Sequence, residues 1–290
     1  MENEEIKMLY VITAVHNRFD ITKKFISQLN NQTYKDFRLI IVDDGSTDGT
    51  AGMIVKESPS AIVISGDGNL WWGGALNEAY KWIKGNASET DYVLIANDDS
   101  NFDENYLEKG TMILQKEPGI LLTGCGYSVN TGRQLDGVRH WNFKIGGCTD
   151  LIVPTDEGNC ASTRSLFMRV STMLQIGGFH PVLLPHYASD FEWTIRAAKK
   201  GIKIKSYDTL SYYFDEGTTG DNNLNTASLK KIFSKRSNLN PIYRASFILM
   251  STPVKYLPGH LLYQMFRYLK KIPGIIERTN PKKHQGDGEE

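Results

Sequence analysis

The chain alternates short, continuously apolar runs with stretches whose apolar residues recur at helical spacing. "MLYVITAVHN" reads as a strand running into a loop. "ITKKFISQLNNQ" follows, with Ile21, Phe25, Ile26 and Leu29 at helical spacing. "FRLIIVDDG" is a second strand, stopped by Asp43, Asp44 and Gly45, and "STDGTAGMIVKES" a helix with polar residues at its start. "AIVISGDGN" is a third strand, and "WGGALNEAYKWIKG" a helix closing at Gly85. "YVLIANDDS" and "DENYLEKGTMILQKE" supply a fourth strand and the next helix. The strands are apolar throughout rather than alternating, which predicts a mostly parallel sheet covered on both faces by helices. Ligands of such sheets sit beyond the carboxyl ends of the strands. The polar clusters "AVHNR", "VDDGSTD", "SGDGNLWW" and "ANDDS" all fall at those ends.

After residue 120 the rhythm changes. "LLTGCGYSV" predicts another strand, and residues 130–156 are rich in glycine, polar and aromatic residues with short pieces such as "RHWNFKIGG". "CASTRSLFMRVSTMLQIGGF" predicts a strand and a short helix ending in a Gly-Gly turn. "SDFEWTIRAAKKG" predicts a helix with Phe191, Ile195 and Ala198 inward, and "IKIKSYDTLSYYFDEGTTG" returns to a strand and a loop. No linker marks a second independent domain. The expected organisation is one domain over residues 1–225, with a nucleotide-binding half (about 1–120) and an acceptor half (about 121–225). A helical extension over 226–275 and a disordered tail over 276–290 complete it.

Composition narrows the field. The 290 residues carry no formal net charge, so nucleic acid is not an indicated partner. Cys125, Cys148 and Cys160 fit no zinc-knuckle spacing, and their odd number argues for a reducing compartment. No apolar stretch reaches membrane-spanning length, the longest being broken by Pro253 and Pro258. Near the C-terminus, "LLYQMFRYLKKIPGIIERTNPKK" joins an apolar stripe to Arg267, Lys270 and Lys271. Such a helix lies on anionic lipid, packs on its own domain, or forms a dimer interface.

The chemistry concentrates at the strand ends. Asp98 and Asp99 repel each other unless a cation attends them. Mn2+ or Mg2+ would serve, with Asp99 the direct ligand and Asp98 touching the ion, a ribose hydroxyl or solvent; the alternative is a pair of turn or N-cap residues. Asp43 or Asp44 can accept from a ribose hydroxyl or a base N–H, while Ser46 and Asp48 are cap or turn candidates. Trp71 and Trp72 can pack on a sugar or base, or simply fill core. Gly73 and Gly74 would let a ligand approach the backbone, and Asn69 would hold the loop or touch the donor. No G-x-x-x-x-G-K-[ST] occurs, and no G-x-G-x-x-G opens a helix after the first strand, which disfavours ATPases and dinucleotide enzymes.

Taken in order, these motifs resemble family 2 glycosyltransferases of the GT-A fold, in the branch that includes rhamnosyltransferase-like enzymes. Ala14 to Arg18 resembles the opening of the family, Val42 to Asp48 its nucleotide-binding stretch, and "GNLWWGGALNEAY" its donor-side helix. Asn97-Asp98-Asp99 resembles the metal motif, "LFMRVSTMLQIGGFHP" the acceptor-side stretch, and "YASDFEWTIRAAKKG" the segment bearing the catalytic base. The resemblance covers about residues 8 to 220. Ser189 and His180 depart from the acidic residues usual there.

The resemblance implies an α/β, Rossmann-like fold and a metal-dependent, inverting transfer of a sugar from a nucleoside-diphosphate donor, dTDP-rhamnose or a UDP-sugar. It assigns Asp190 as the base. It places Ala14, His16, Arg18, Asp43, Asp44, Asn69, Trp71, Trp72, Gly74 and Asp98 at the donor. Asp99, Asp98 and Asp215 attend the metal, Asp215 standing near the position of a late histidine in the family. His186 and Trp193 fall on the acceptor side, His186 alternatively orienting the base or serving structure. The implied acceptor is a cell-surface glycan, free or lipid-linked. The implied location is cytoplasmic, with possible membrane contact through residues 256–273. The rival readings are a sugar nucleotidyltransferase and a non-catalytic glycan-binding protein.

Overall fold

A computed structural model describes residues 7–151, 158–218, 229–235 and 237–270. The tail expected at 276–290 and the last residues of the extension, 271–275, lie outside them. The first half runs β1 (Leu9–Val15), α1 (Phe19–Asn30), β2 (Phe37–Asp43), α2 (Thr50–Glu57), β3 (Ile62–Ser65), α3 (Trp71–Asn86), β4 (Tyr92–Ala96), β5 (Asn101–Phe102) and α4 (Tyr106–Lys116). Next come β6 (Leu121–Ser128), β7 (Gln134–Asp136), β8 (Arg139–Asn142), β9 (Gly147–Leu151), β10 (Ser165–Arg169), α5 (Val170–Ile176), α6 (Ser189–Lys199) and β11 (Ile204–Phe214). The extension holds α7 (Leu229–Ile232), α8 (Pro241–Ser251) and α9 (Leu257–Leu269).

One sheet runs in the order β3–β2–β1–β4–β10–β6–β11–β5, with β7 paired to β6; β8 and β9 form a separate hairpin. The pairs β3–β2, β2–β1, β1–β4 and β6–β11 are parallel. β10 is antiparallel to both β4 and β6, so it joins two parallel blocks.

The unbroken apolar strands follow from two-sided burial. Alternate residues of β4 face opposite layers: Val93 and Ile95 join the core beneath α3, α5 and α6, while Tyr92, Leu94 and Ala96 join the core beneath α1 and α4. A strand with both faces dry has no position left for a polar side chain. The Gly-Gly turn after α5 is made by Gly177, whose φ of 93° suits a residue without a Cβ.

The prolines explain the broken extension. Pro241 and Pro258 each sit in the first turn of a helix, where the missing N–H costs nothing, and Pro253 stands between α8 and α9. The Asn240 side chain caps α8 by accepting from Ile242 N–H at 3.0 Å. α9 buries no residue fully, and Leu262, Tyr263, Met265, Phe266 and Leu269 are exposed.

Candidate active site

A cleft of about 930 Å³ opens at the carboxyl ends of β1 and β4. Ala14, His16 and Arg18 reach it from the end of β1, and Trp71 and Trp72 from the start of α3. Asp98 and Asp99 follow β4, Arg164 precedes β10, and His186 and Asp190 come from the approach to α6 and its first turn.

The two adjacent carboxylates are each answered by a guanidinium. Arg18 Nε lies 3.0 Å from the Asp98 carboxylate, which also accepts from Thr22 Oγ1 at 2.9 Å. Burial raises the Asp98 pKa above the usual carboxylate value, while Arg18 and Thr22 pull the other way. Asp99 is paired with Arg164 at 2.5 Å and with Arg18 at 3.5 Å. Arg164 lies 4.3 Å from the Phe214 ring centroid, which fixes its other face.

Asp43 and Asp44 are builders of the loops. Asp44 Oδ1 accepts from Gly68 N–H at 2.8 Å and Leu70 N–H at 3.2 Å, and its Oδ2 from Trp71 N–H at 2.9 Å. Its carboxylate is thereby taken up by the backbone that leads into α3, although the residue still lines the cleft. Asp43 Oδ1 accepts from Ser46 N–H at 3.0 Å and is not among the lining residues. Ser46 Oγ accepts from Asn17 N–H at 2.9 Å, and Asp48 accepts from Phe19 N–H and Thr50 N–H, so both are turn and cap residues. His16 Nδ1–H donates to the Asp44 carbonyl at 2.6 Å, tying β1 to β2 at the cleft floor.

The tryptophans divide. Trp72 Nε1 donates to Thr163 Oγ1 at 2.9 Å. Trp71 holds φ at 58°, an uncommon region for a bulky residue, and its buried Nε1 has no partner. Its ring faces His186, with centroids 5.8 Å apart. A strained residue with a stranded donor beside a cleft points to a ligand.

Gly73 and Gly74 serve packing instead. A Cβ on Gly73 would come within 2.5 Å of the Leu184 carbonyl, and one on Gly74 within 3.3 Å of Leu70. The loop before α6 therefore lies directly on α3. Asn69 is exposed, outside the cleft lining, and donates its N–H to Asp67.

Asp190 and Glu192 share the first turn of α6, and the fold separates their roles. Glu192 is buried and paired with Arg196 Nε at 3.0 Å, whose Nη2 also donates to Gly178 O. Asp190 lines the cleft, and burial pushes its pKa up to about 6 despite the N–H of Phe191 at 2.9 Å. Trp193 is core: it is fully buried, stacks on Phe179, and donates to Gly177 O at 2.7 Å. Asp215 lies past the end of β11, accepts from Asn130 Nδ2 at 3.0 Å and Gly217 N–H at 2.9 Å, and is not in the cleft lining.

Sequence reasoning passed over Arg164 and the returning residues Lys231, Ser234, Ser237 and Asn238, which also line the cleft. The signal for Arg164 was faint but present: a charged residue directly before an apolar strand. The donor set suits a hard divalent cation through Asp99, with Asp98 beside it, both offering oxygen. Among the described residues no group of three carboxylate, histidine or cysteine side chains is assembled, so phosphate oxygens and water would complete such a shell.

A model of glycosyl transferase family 2 matches residues 10–174. The chain belongs to this family. Two relatives, the N-acetylglucosaminyl-diphospho-decaprenol L-rhamnosyltransferases of two Mycobacterium tuberculosis strains, are 28% identical over 98 residues. The match covers 32% of this chain and 32% of each relative, so the chain spans about a third of their length. The mannosyltransferase PcManGT from Pyrobaculum calidifontis, in complex with GDP-Man and Mn2+, superposes with a TM-score of 0.59 at 13% identity, covering 93% of this chain and 72% of that one. TarS of S. aureus gives 0.58 at 18% identity, over 95% and 55%. GalNAc-T7 with UDP, GalNAc and Mn2+ gives 0.60 at 11%, over 93% and 58%. These likenesses speak for the fold, which is GT-A. The family 2 match ends within α5, ahead of Asp190.

Proposed function

We propose that this family 2 chain moves a sugar from a nucleoside-diphosphate sugar, dTDP-rhamnose or a UDP-sugar, to a hydroxyl of a lipid-linked cell-surface glycan precursor, with inversion. The observation that carries this reading is Asp190, a carboxylate with its pKa near 6, in the same cleft as the charged cluster of Asp98, Asp99, Arg18 and Arg164. The rhamnosyltransferase relatives favour the rhamnose donor and the lipid-linked acceptor.

At neutral pH Asp190 is ionised, yet basic enough to take a proton. The acceptor oxygen forms a bond to the anomeric carbon as the bond from that carbon to the diphosphate oxygen breaks. The electron pair leaves with the nucleoside diphosphate, and the hydroxyl proton passes to Asp190. Direct attack inverts the anomeric centre. A double displacement needs a second available carboxylate, and Asp44, Asp98 and Asp99, which share the lining, are held by backbone N–H groups or guanidinium groups. Mn2+ or Mg2+ held by Asp99, with Asp98 beside it, would supply Lewis-acid neutralisation of the diphosphate. Trp71 Nε1 offers the donor a hydrogen bond, and Arg18 and Arg164 keep positive charge beside the two carboxylates.

Transfer assayed across dTDP-rhamnose and UDP-sugars, with and without Mn2+, tests the reading. Asp190→Asn is expected to keep nucleotide affinity and lose about 10³-fold in transfer. Asp99→Asn is expected to lose metal-dependent nucleotide binding. Normal transfer by Asp190→Asn sinks the assignment of the base. A cytoplasmic, membrane-facing location fits the exposed apolar side chains of α9 together with Lys255, Arg267 and Lys270. Sedimentation with anionic vesicles checks it, and loss of the chain from the pellet even at low salt would count against it.

A further inference from the structure

A second cavity, of about 330 Å³, adjoins the cleft, and Asp190 lines both. Its walls come from β8, the first turn of α6, α8 and α9, segments far apart in the chain. One wall is aromatic: Trp141 meets Phe247 edge-on, with centroids 5.0 Å apart. Two buried polar atoms of lining residues, Trp141 Nε1 and Gln264 Oε1, have no hydrogen-bond partner among the described residues. Folded proteins seldom strand such atoms, and an unmet donor and an unmet acceptor on residues that line one cavity suit a polyhydroxyl ligand.

Charge adds a second constraint. Arg244 lines the cavity, half-buried, with no carboxylate paired to it among the described residues. Burial and the neighbouring Arg267 press its pKa below the ordinary guanidinium value. A guanidinium that lines a partly dry cavity with no carboxylate paired to it among the described residues suits an anion, and phosphate matches its fork geometry.

We infer that this cavity is the acceptor chamber, and that it takes a sugar ring carrying a phosphate or diphosphate. The ring lies at the edge of Trp141, where its hydroxyls meet Trp141 Nε1 and Gln264 Oε1, and the anionic group meets Arg244. The hydroxyl that reacts reaches Asp190 at the shared wall. This assignment rests on the reading of Asp190 as the base and adds the class of acceptor to it.

Calorimetric binding to the full chain tests it with three probes: N-acetylglucosamine 1-phosphate, its neutral methyl glycoside, and the same sugar on an octyl diphosphate. The phosphorylated probes are expected to bind at least about tenfold more tightly than the neutral one. Arg244→Gln is expected to abolish that preference, Arg244→Lys to retain part of it, and Gln264→Glu to weaken the phosphorylated probes by repulsion. UDP and dTDP binding should stay unchanged in all three variants. A tighter octyl diphosphate assigns the anion to a lipid-linked glycan, and equal affinity assigns it to a soluble phosphorylated one; both support the chamber. Equal binding of charged and neutral probes, no binding of either, or a preference that survives Arg244→Gln overturns it. If the Arg244-dependent preference holds but neither nucleotide binds, the chamber stands and the nucleotide-sugar reading falls.

Discussion

The two ends of the cleft satisfy their polar groups in opposite ways. At the donor end the chain answers nearly every charge itself. Asp44 is taken up by three backbone N–H groups, Asp98 by Arg18 and Thr22, and Asp99 by Arg164. At the end proposed for the acceptor, Asp190 keeps a raised pKa, and among the described residues Trp141 Nε1 and Gln264 Oε1 have no hydrogen-bond partner and Arg244 no paired carboxylate. The donor end is therefore preorganised and stable before any ligand arrives. The end proposed for the acceptor holds unmet demands, which cost stability and would be met by a bound substrate. A pocket that must recognise a variable acceptor keeps its polar groups open, while loops that must hold a shape spend theirs on backbone.

That contrast can be broken by substitution. Asp44→Ala removes the acceptor of three N–H groups at once and is expected to cost about 3 kcal/mol or more in urea unfolding, with loss of the order in residues 66–71. A cost under about 1 kcal/mol would mean the donor end is not held together in this way.

The pH profile of kcat/KM sharpens the other side. Asp190 works only when ionised, so activity is expected to be flat above its pKa of about 6 and to fall about tenfold per unit below it. An acid limb nearer 4 would contradict the burial that raises the Asp190 pKa.

Asp190 also carries a smaller, opposite effect on stability. Its folded pKa lies above the ordinary aspartate value of 3.8, so the folded state binds the proton more tightly and stability declines as pH rises from about 4 to 6. Asp190→Asn is expected to stabilise the protein by about 1–2 kcal/mol at pH 8, allowing for water in the cleft, and to leave it unchanged near pH 4. Equal melting temperatures at pH 8 would contradict the burial cost.

The sheet half of the fold was legible because its signals are local. An apolar run such as "YVLIA" becomes a two-faced buried strand wherever it is placed, and "VDDGSTD" makes its turn from its own side chains and those of Asn17. Trp193 misled as an acceptor-side residue because an aromatic beside a catalytic position reads the same in sequence whether it points to the cleft or to Phe179. Gly73 and Gly74 read as room for a ligand, but what approaches Gly73 is the loop before α6, and what lies nearest Gly74 is Leu70 at the start of its own helix. Glu192 and Asp190 could not be told apart in a row of letters; Arg196, one helical turn on from Glu192, makes the distinction only once α6 is packed.

By itself, then, the sequence determined the alternation of strands and helices and the polar strand ends that carry Asp98 and Asp99, since these depend on periodicity and on neighbours a few residues apart, while Asp190 stood out only through the family resemblance. Only the tertiary structure decided which carboxylates are already spent, that Arg164 stands over Asp99, and that Trp141, Arg244 and Gln264 share a cavity with Asp190. The reason is physical. Hydrogen bonds and ion pairs between residues tens to over a hundred positions apart, and the stranding of a buried donor, are properties of three-dimensional packing, and no local pattern encodes them.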